Sequence, residues 1–591
     1  MTKHERGKWQ SPLPRRKPPK GDGYDIYPSF RLGDGLIQAG YHTLAEKILR
    51  HSTVIFDGYT GVFWSRFEDE ITAAASKRGI SVKWIQTDRF LKPESVIREM
   101  TAPWSGGDDP LFGKRCELNL ADFFDPEELM SIMPDPDSDI TILAGPGAAL
   151  AGWKGLTVYA DIPKNEQQYR AREGTVTNLG IRHPSGPKEM YKRSYFIDWP
   201  VLNRHKAVII ESVDLIVDAQ RGDDPAWTEG ETLRAALKAM SCNMFRVRPW
   251  FEPGPWGGTW MKENISGLSG EAPNYAWSFE LITPENGLLL ESSSLLLEVS
   301  FDSLMYTAAE AVLGDCHSRF GTDFPIRFDF LDTFNGGNLS LQCHPRPEYT
   351  RKHFGEDFTQ EESYYILDAK DDATVFLGFR DDIDPAEFRK HLEDSQFNQT
   401  SFDADRFVQN HTSAKHDLFL IPYGTVHGSG KNNLVLEIST TPYIFTFKMY
   451  DWLRKDLNGK PRDLNIHRAM DNLFFHRKGS YVTEKLISRP ELLEQGTGWQ
   501  LWHLPTHQSH LYDVHRYHIQ TSVQIPTADR CLVMNLVEGE KILIETQKGM
   551  SHLISYAETF VIPAAAGSIR VTNLSAGEAV LVKAFIKQTG L

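Results

Sequence analysis

The chain has 591 residues, of which 40% are hydrophobic and 24% charged, a balance that excludes a disordered or low-complexity protein. The formal net charge of -15, with no long basic stripe, argues against nucleic acid as a partner. No run approaches the ~18 uninterrupted apolar residues of a membrane span, so no membrane association is expected.

At roughly 100–200 residues per domain, the length predicts three to five units, or fewer large ones. The first segment, 1–28, is basic, polar and rich in proline. It has no apolar core, which predicts a flexible arm rather than a secretory signal. From 29 to 242 short apolar strands alternate with helical spacing: Thr53-Val54-Ile55-Phe56, then Trp64 to Arg78, then Val82-Lys83-Trp84-Ile85. Further strands are expected at Ile140–Ala144, Leu156–Ala160 and Ala207–Ile210. That alternation predicts a parallel sheet covered on both faces.

The texture changes near Asn243, and Gly254-Pro255-Trp256-Gly257-Gly258 is a strong turn signal. Many short strands follow, with helical inserts around Asp302–Leu313 and Asp384–Glu393. Residues 243–480 therefore read as a barrel or jelly roll, and 481–591 as a second β-barrel. The five cysteines, Cys116, Cys242, Cys316, Cys343 and Cys531, are odd in number, widely spaced and without a CxxC. They point to a reducing compartment, the cytoplasm, and away from a thiolate zinc site.

The chemistry concentrates in Leu339-Ser340-Leu341-Gln342-Cys343-His344-Pro345. This run alternates as a strand does, so Gln342 and His344 share a face and Cys343 points away. An amide oxygen and an imidazole together suit a hard-to-borderline metal. Two further donors follow: Glu362, opening Glu362-Ser363-Tyr364-Tyr365-Ile366-Leu367, and His427, after the tight turn of Pro422 and Gly424. Two imidazoles, a carboxylate and an amide leave a position open for water or substrate, the mark of a catalytic metal.

The Pro422-x-Gly424-x-x-His427 arrangement resembles the second signature of the cupin barrels. From about Asn243 onward the chain resembles, in order, the type I phosphomannose isomerases (mannose-6-phosphate isomerases). The similar runs are Pro255-Trp256-Gly257-Gly258, Phe324-Pro325 through Phe330-Leu331-Asp332, Leu339–Pro345 and Glu362–Leu367. Pro422–His427, Leu434–Ile438, Tyr450-Asp451-Trp452-Leu453-Arg454 and Gly459-Lys460-Pro461-Arg462 complete the series. The resemblance implies an isomerase that interconverts mannose 6-phosphate and fructose 6-phosphate through an enediol. It also implies one Zn2+ per chain on Gln342, His344, Glu362 and His427, and a sugar phosphate as partner.

Two positions depart from the family. Lys448, in Thr446-Phe447-Lys448-Met449-Tyr450-Asp451, stands where the family has an arginine, keeping the charge but losing the two-pronged grip. Gln360 stands where it has a lysine. Lys448 is the catalytic cation this resemblance implies. Glu437 is read either as orienting a ligand or as an outward carboxylate. His503, His507, His510, His515 and His518 are irregularly spaced and are expected to be satisfied polar residues rather than ligands.

The order of elements before residue 242 resembles a P-loop nucleoside kinase of the uridine kinase type. Gly58-Tyr59-Thr60-Gly61 stands where the phosphate loop would begin, Thr87–Pro93 resembles the family's Asp-x-Phe-Tyr-Lys segment, and Tyr159–Pro163 through Arg170-Ala171-Arg172 its lid region. Phe63 and Trp64, followed by Ser65, replace the glycine and lysine that a phosphate loop needs. A domain that has lost catalysis is expected, with regulation or the assembly of a homodimer both open as its role.

The fold class expected is thus multidomain: an α/β P-loop-like parallel-sheet domain followed by mostly-β cupin (jelly-roll) barrels with helical inserts. The alternative function is a non-catalytic sugar-phosphate-binding regulatory protein with a degenerate kinase domain. A different cupin enzyme, such as an iron dioxygenase, is disfavoured by the Trp-Gly-Gly opening and the second barrel.

Overall fold

The computed structural model describes residues 7, 9–19, 21, 23–455, 459 and 461–588. They form two compact units. The first comprises Tyr27–Ser241 and Thr283–Ala309 together with the described residues up to Pro19. The second comprises Cys242–Ile282 and Glu310 onward, together with the described residues between 20 and 26. Lys460, part of one quoted run, lies outside the described residues.

The first unit is built on strands β1 (Thr53–Gly58), β2 (Val82–Gln86), β3 (Ile140–Ala144), β4 (Leu156–Asp161), β5 (Leu215–Asp218) and β6 (Ala226–Glu229). Their order is β6-β5-β4-β1-β3-β2, with the short strand Gln38–Ala39 beside β6. β1 to β5 are parallel and β6 is antiparallel. The centre is apolar on both faces, as crossover helices require: Val54, Ile55 and Phe56 are buried, as are Ile142, Leu143 and Val158. Helix α1 (Trp64–Ser76) follows β1, α2 (Lys164–Glu173) follows β4, and α3 (Trp199–Ile209) precedes β5. The expected strand at Ala207–Ile210 is instead the end of α3 and the short turn after it.

The hairpin of Gly287–Ser292 and Leu295–Ser300 belongs to this unit, although it lies within the range read as the first barrel. Pairing explains why. Gly287–Ser292 runs parallel to Ser29–Arg31, Glu298 N donates to Asp218 Oδ2 at 2.9 Å, and Ser300 N donates to Asp161 Oδ2 at 2.9 Å. Leu13 is buried against Leu289 and Leu296, so this part of the expected arm is packed rather than free.

In the second unit one sheet has β7 (Trp250–Glu252), β8 (Trp277–Leu281), β9 (Ile326–Asp332), β11 (Glu362–Ala369), β14 (Leu418–Ile421) and β16 (Asn433–Thr440), ordered β14-β11-β16-β9-β8-β7. The other has β10 (Leu341–Cys343), β12 (Thr374–Phe379), β13 (Val408–Thr412), β15 (His427–Ser429) and β17 (Phe447–Tyr450), ordered β13-β12-β15-β10-β17. Leu331, Tyr364, Ile366, Val375, Leu377, Phe419, Ile421 and Val435 form one core cluster drawn from both sheets. The helical insert of this unit is Pro385–Asn398, whose Asp384 cap accepts from Ala386 N and Glu387 N; of the other expected insert, Asp302–Leu313, kinked at Ala308, residues 302–309 belong to the first unit.

A further pair of sheets completes this unit. It is built from β18 (Glu491–Gly496), β19 (Trp499–Leu504), β20 (Tyr512–Ile519), β21 (Ser522–Pro526), β22 (Leu532–Glu538), β23 (Lys541–Thr546), β24 (Ser551–Ser555), β25 (Thr559–Ile562), β26 (Ser568–Asn573) and β27 (Ala579–Ile586). The orders are β18-β19-β20-β27-β22-β25 and β21-β26-β23-β24. Tyr517, Ile519, Ile525, Met534, Ile544, Val571 and Leu581 are among the residues of its core. Among the described residues no helix is long and apolar enough to cross a membrane.

Candidate metal centre

Register brings the donors together. In antiparallel sheets, residues directly opposite one another share a face. His427 on β15 stands opposite Gln342 on β10, which stands opposite Lys448 on β17. That row runs across one sheet, with His344 two residues along from Gln342 on the same side. On the other sheet the row is Ile421, Glu362, Ser439 and Arg327, followed two residues along by Phe419, Tyr364, Glu437 and Asp329. The same face becomes apolar further on, at Ile366, Val435 and Leu331. Glu362 crosses the gap between the sheets: its Oε2 lies against His344 Nε2 and 3.1 Å from His427 Nε2. Gln342 Nε2 lies 3.3 Å from His427 Nε2. All four residues are buried.

The tautomers are fixed from behind. His344 Nδ1 lies 3.2 Å from the Phe445 carbonyl and His427 Nδ1 lies 2.9 Å from the Thr425 carbonyl. A carbonyl can only accept, so each Nδ1 donates and each Nε2 presents its lone pair. Two such lone pairs and a carboxylate oxygen meeting at one point repel unless a cation stands between them. His344, Glu362 and His427 can hold a metal ion, each offering one ligand atom within 4.8 Å of the others. Turning the Gln342 carboxamide about its last bond would bring Oε1 to the same point. Burial pushes the His344 imidazole below its ordinary value, keeping the ring neutral as a ligand must be.

The turn that delivers His427 needs its glycine. Gly424 has φ +73°, and a Cβ there would meet the Asn472 carbonyl at 2.5 Å. Arg477 braces the same turn, donating to the Pro422 carbonyl at 3.0 Å and to Thr425 Oγ1 at 2.6 Å. The Trp-Gly-Gly opening has a packing reason: a Cβ on Gly258 would meet Asp332 Oδ1 at 2.1 Å. Asp332 in turn accepts from Met261 N and Phe334 N.

Several interior groups escaped sequence reasoning. Arg327 is a buried cation ion-paired with Glu437 and 3.2 Å from Asp329. Burial pushes the Asp329 carboxyl up to about 6 against the pull of Arg327. Glu437 faces inward, also meeting Ser439 Oγ at 2.9 Å and Gln360 Nε2 at 3.5 Å, so the outward reading of this carboxylate is set aside. Tyr364 Oη is buried on the same side as Glu362. Alternation along β9 and β11 was the signal that could have placed these residues on one face.

A family described only as a domain of unknown function (DUF8485) matches residues 40–242. The probable mannose-6-phosphate isomerase GmuF of Bacillus subtilis strain 168 is 27% identical over 251 residues, 42% of this chain and 73% of that protein. The mannose-6-phosphate isomerase ManA of the same strain is 25% identical over 232 residues, 39% of this chain and 68% of that protein. The crystal structure of the mannose 6-phosphate isomerase from Bacillus subtilis superposes with a TM-score of 0.48 at 19% identity, covering 58% of this chain and all of the other (100%). Over the part that these relatives match, the chain is mannose-6-phosphate isomerase-like.

Proposed function

We propose that the first barrel is the site of a metal-dependent aldose–ketose isomerase that interconverts mannose 6-phosphate and fructose 6-phosphate through an enediol. The observation that carries this reading is the pair of imidazoles whose Nδ1 atoms donate to backbone carbonyls while both Nε2 atoms turn to Glu362. His344, Glu362 and His427, with Gln342, would hold one Zn2+. The bound ion would hold the substrate oxygens and offset the negative charge that develops as the carbonyl moves from C1 to C2.

The chain's own side chains supply the rest. Lys448, in the row of His427 and Gln342, brings a positive charge to the anionic part of the substrate or of the enediolate. Tyr364 Oη can donate to a sugar oxygen. Asp329, at about 6, has the basicity to accept a proton near neutral pH. Residues 331, 366 and 435 close the deep end with apolar side chains and keep water from it.

A coupled assay of mannose 6-phosphate conversion, with and without added Zn2+, tests the reading. Turnover that requires the metal, and falls at least tenfold in Lys448→Met, supports it. A second reading, a regulatory protein that binds sugar phosphate without turning it over, is favoured by Gln360 and Lys448 standing where the family has a lysine and an arginine. It wins if metal-loaded protein shows no turnover while mannose 6-phosphate still raises its melting temperature.

We also infer that the α/β unit is P-loop-like and closed to nucleotide. Arg170 supports this: its guanidinium lies 4.0 Å from the Phe63 ring and donates to the Gly61 carbonyl at 2.7 Å and the Gln220 carbonyl at 2.8 Å. ATP with Mg2+ should leave the melting temperature of the full chain unchanged, and a rise would end this inference.

A further inference from the structure

The final pair of sheets carries a cluster that the first barrel does not use. His503 on β19 and His515 on β20 are directly opposite in antiparallel register, and Asp513 lies two residues before His515. All three therefore share one face. Along β20 that face continues into Tyr517 and Ile519, and on neighbouring β27 into Leu581, all in the core. The cluster thus stands on the inner face, where the apolar core gives way to half-exposed side chains. The first barrel shows the same progression, from Leu331, Ile366 and Val435 to its buried donors.

The geometry is that of a ligand set. His503 Nε2 lies 3.1 and 3.0 Å from the two carboxylate oxygens of Asp513. The two imidazole centroids are 5.5 Å apart, and one donor atom from each of the three residues lies within 4.8 Å of the others. His515 Nδ1 is buried with no hydrogen-bond partner among the described residues. Asp513 is oriented by Thr506 Oγ1 and by Val514 N, both at 3.1 Å, the kind of support that metal-binding carboxylates have. The His503 side chain is 26% exposed and that of Asp513 19%, so an ion can enter from solvent.

We propose that His503, Asp513 and His515 form a second metal site. Two imidazoles and one carboxylate, with no thiolate, fit a borderline divalent ion such as Zn2+, Co2+ or Ni2+ and do not favour Mg2+ or Ca2+. Solvent completes the coordination. The opposing force is also built in. Lys583 stands opposite His515 on the same face, its ammonium 5.3 Å from the Tyr517 ring and 5.0 Å from the Phe585 ring. Arg530 lies over the other side of this corner, 5.4 Å from the Phe585 ring and 3.7 Å from Asp315. These cations weaken a dication by Coulomb repulsion, so this site binds less tightly than the first.

Metal content after equilibration with Zn2+, and the visible absorption of Co2+, test the proposal on the full chain. Two ions per chain are expected in the unaltered protein, and one in Asp513→Asn/His515→Ala with mannose 6-phosphate turnover unchanged. One ion should also persist in His344→Ala/His427→Ala. Lys583→Met should tighten the weaker ion about tenfold and leave the other alone. A single ion that disappears in His344→Ala/His427→Ala overturns the proposal, as does Asp513→Asn/His515→Ala retaining two. A single ion that survives His344→Ala/His427→Ala and is lost with His515→Ala supports this site, and it is then the first-barrel reading that fails. Should a double variant not fold, the stoichiometry of the unaltered chain and the Lys583→Met shift still decide.

Discussion

The loop after β1 and the turn before β15 are both shaped by a glycine with positive φ, Gly61 at +90° and Gly424 at +73°, and they end differently. In the α/β unit the bend is filled from within. Arg170, 2% exposed, takes the carbonyls of Gly61, Ala219 and Gln220, pairs with Glu166 at 2.8 Å and lies against Phe63. Thr60 accepts from Gln167, and Lys164 sits 3.8 Å from the Tyr59 ring. In the barrel the bend delivers His427 to a point where lone pairs converge beside a carboxylate. A bend written in the sequence specifies a backbone path. Whether it becomes a ligand site depends on whether the chain's own groups exhaust the polar demand there.

The harshest test of the barrel half is Glu362→Gln, which keeps the shape and removes the one negative charge of the cluster formed with His344 and His427. Turnover of mannose 6-phosphate should fall about a thousandfold, equivalent to about 4 kcal/mol, and one metal equivalent should be lost. Full activity in that variant would break the comparison at its functional end. The matching test of the α/β half is Arg170→Met, which leaves Glu166 and three carbonyls without their cation. The unit should lose about 3 kcal/mol, read as faster hydrogen exchange in peptides covering β1, while barrel turnover is unchanged. Intermediate in size is Gly424→Ala. A left-handed alanine whose Cβ presses on the Asn472 carbonyl should cost about 2 kcal/mol and displace His427, lowering kcat more than it raises KM. A kcat within twofold of the unaltered chain would show that the turn does not aim the ligand.

The convergence of Gln342, His344, Glu362 and His427 was legible because each rests on a local signal: alternation through Gln342 and His344, a strand start at Glu362, and a proline–glycine turn before His427. Arg327, Asp329 and Tyr364 were half legible: alternation puts Arg327 with Asp329 and Glu362 with Tyr364, but what turns those faces inward is the pairing of β9, β16 and β11, whose partners are far apart in sequence. His503, Asp513 and His515 defeat any spacing rule for the same reason, since a hairpin register and not an interval along the chain brings them together. The parallel sheet of the first unit was readable from its apolar strands. The return of the hairpin 287–300 to that unit was not, because it turns on pairing with the distant Ser29–Arg31 and on hydrogen bonds to Asp161 and Asp218. Arg170 looked like part of a lid, and only its carbonyl partners show it to be a filling.

The smallest effect separates two histidine–carboxylate pairs that look alike. In the α/β unit His205 Nε2 lies 2.8 Å from Asp57, which also accepts from the backbone N–H groups of Gly58, Gly147 and Ala149. Burial lowers the affinity of His205 for its proton, but the Asp57 carboxylate outweighs it and raises the imidazole above its ordinary value. In the barrel, burial prevails and His344 is neutral. One pair is an ion pair and the other is ready for a cation from outside. A raised folded-state value means that the His205 contribution is complete below the ordinary imidazole value of about 6.5 and is lost as pH rises through the raised one. Protection of the β1 amides should therefore decline across that window by about 1 kcal/mol, the scale of a buried charged hydrogen bond. In His205→Gln, which keeps a donor but cannot titrate, the decline should vanish. Parallel pH profiles for the two proteins would mean that His205 carries no charge in the fold, and the contrast with His344 would collapse.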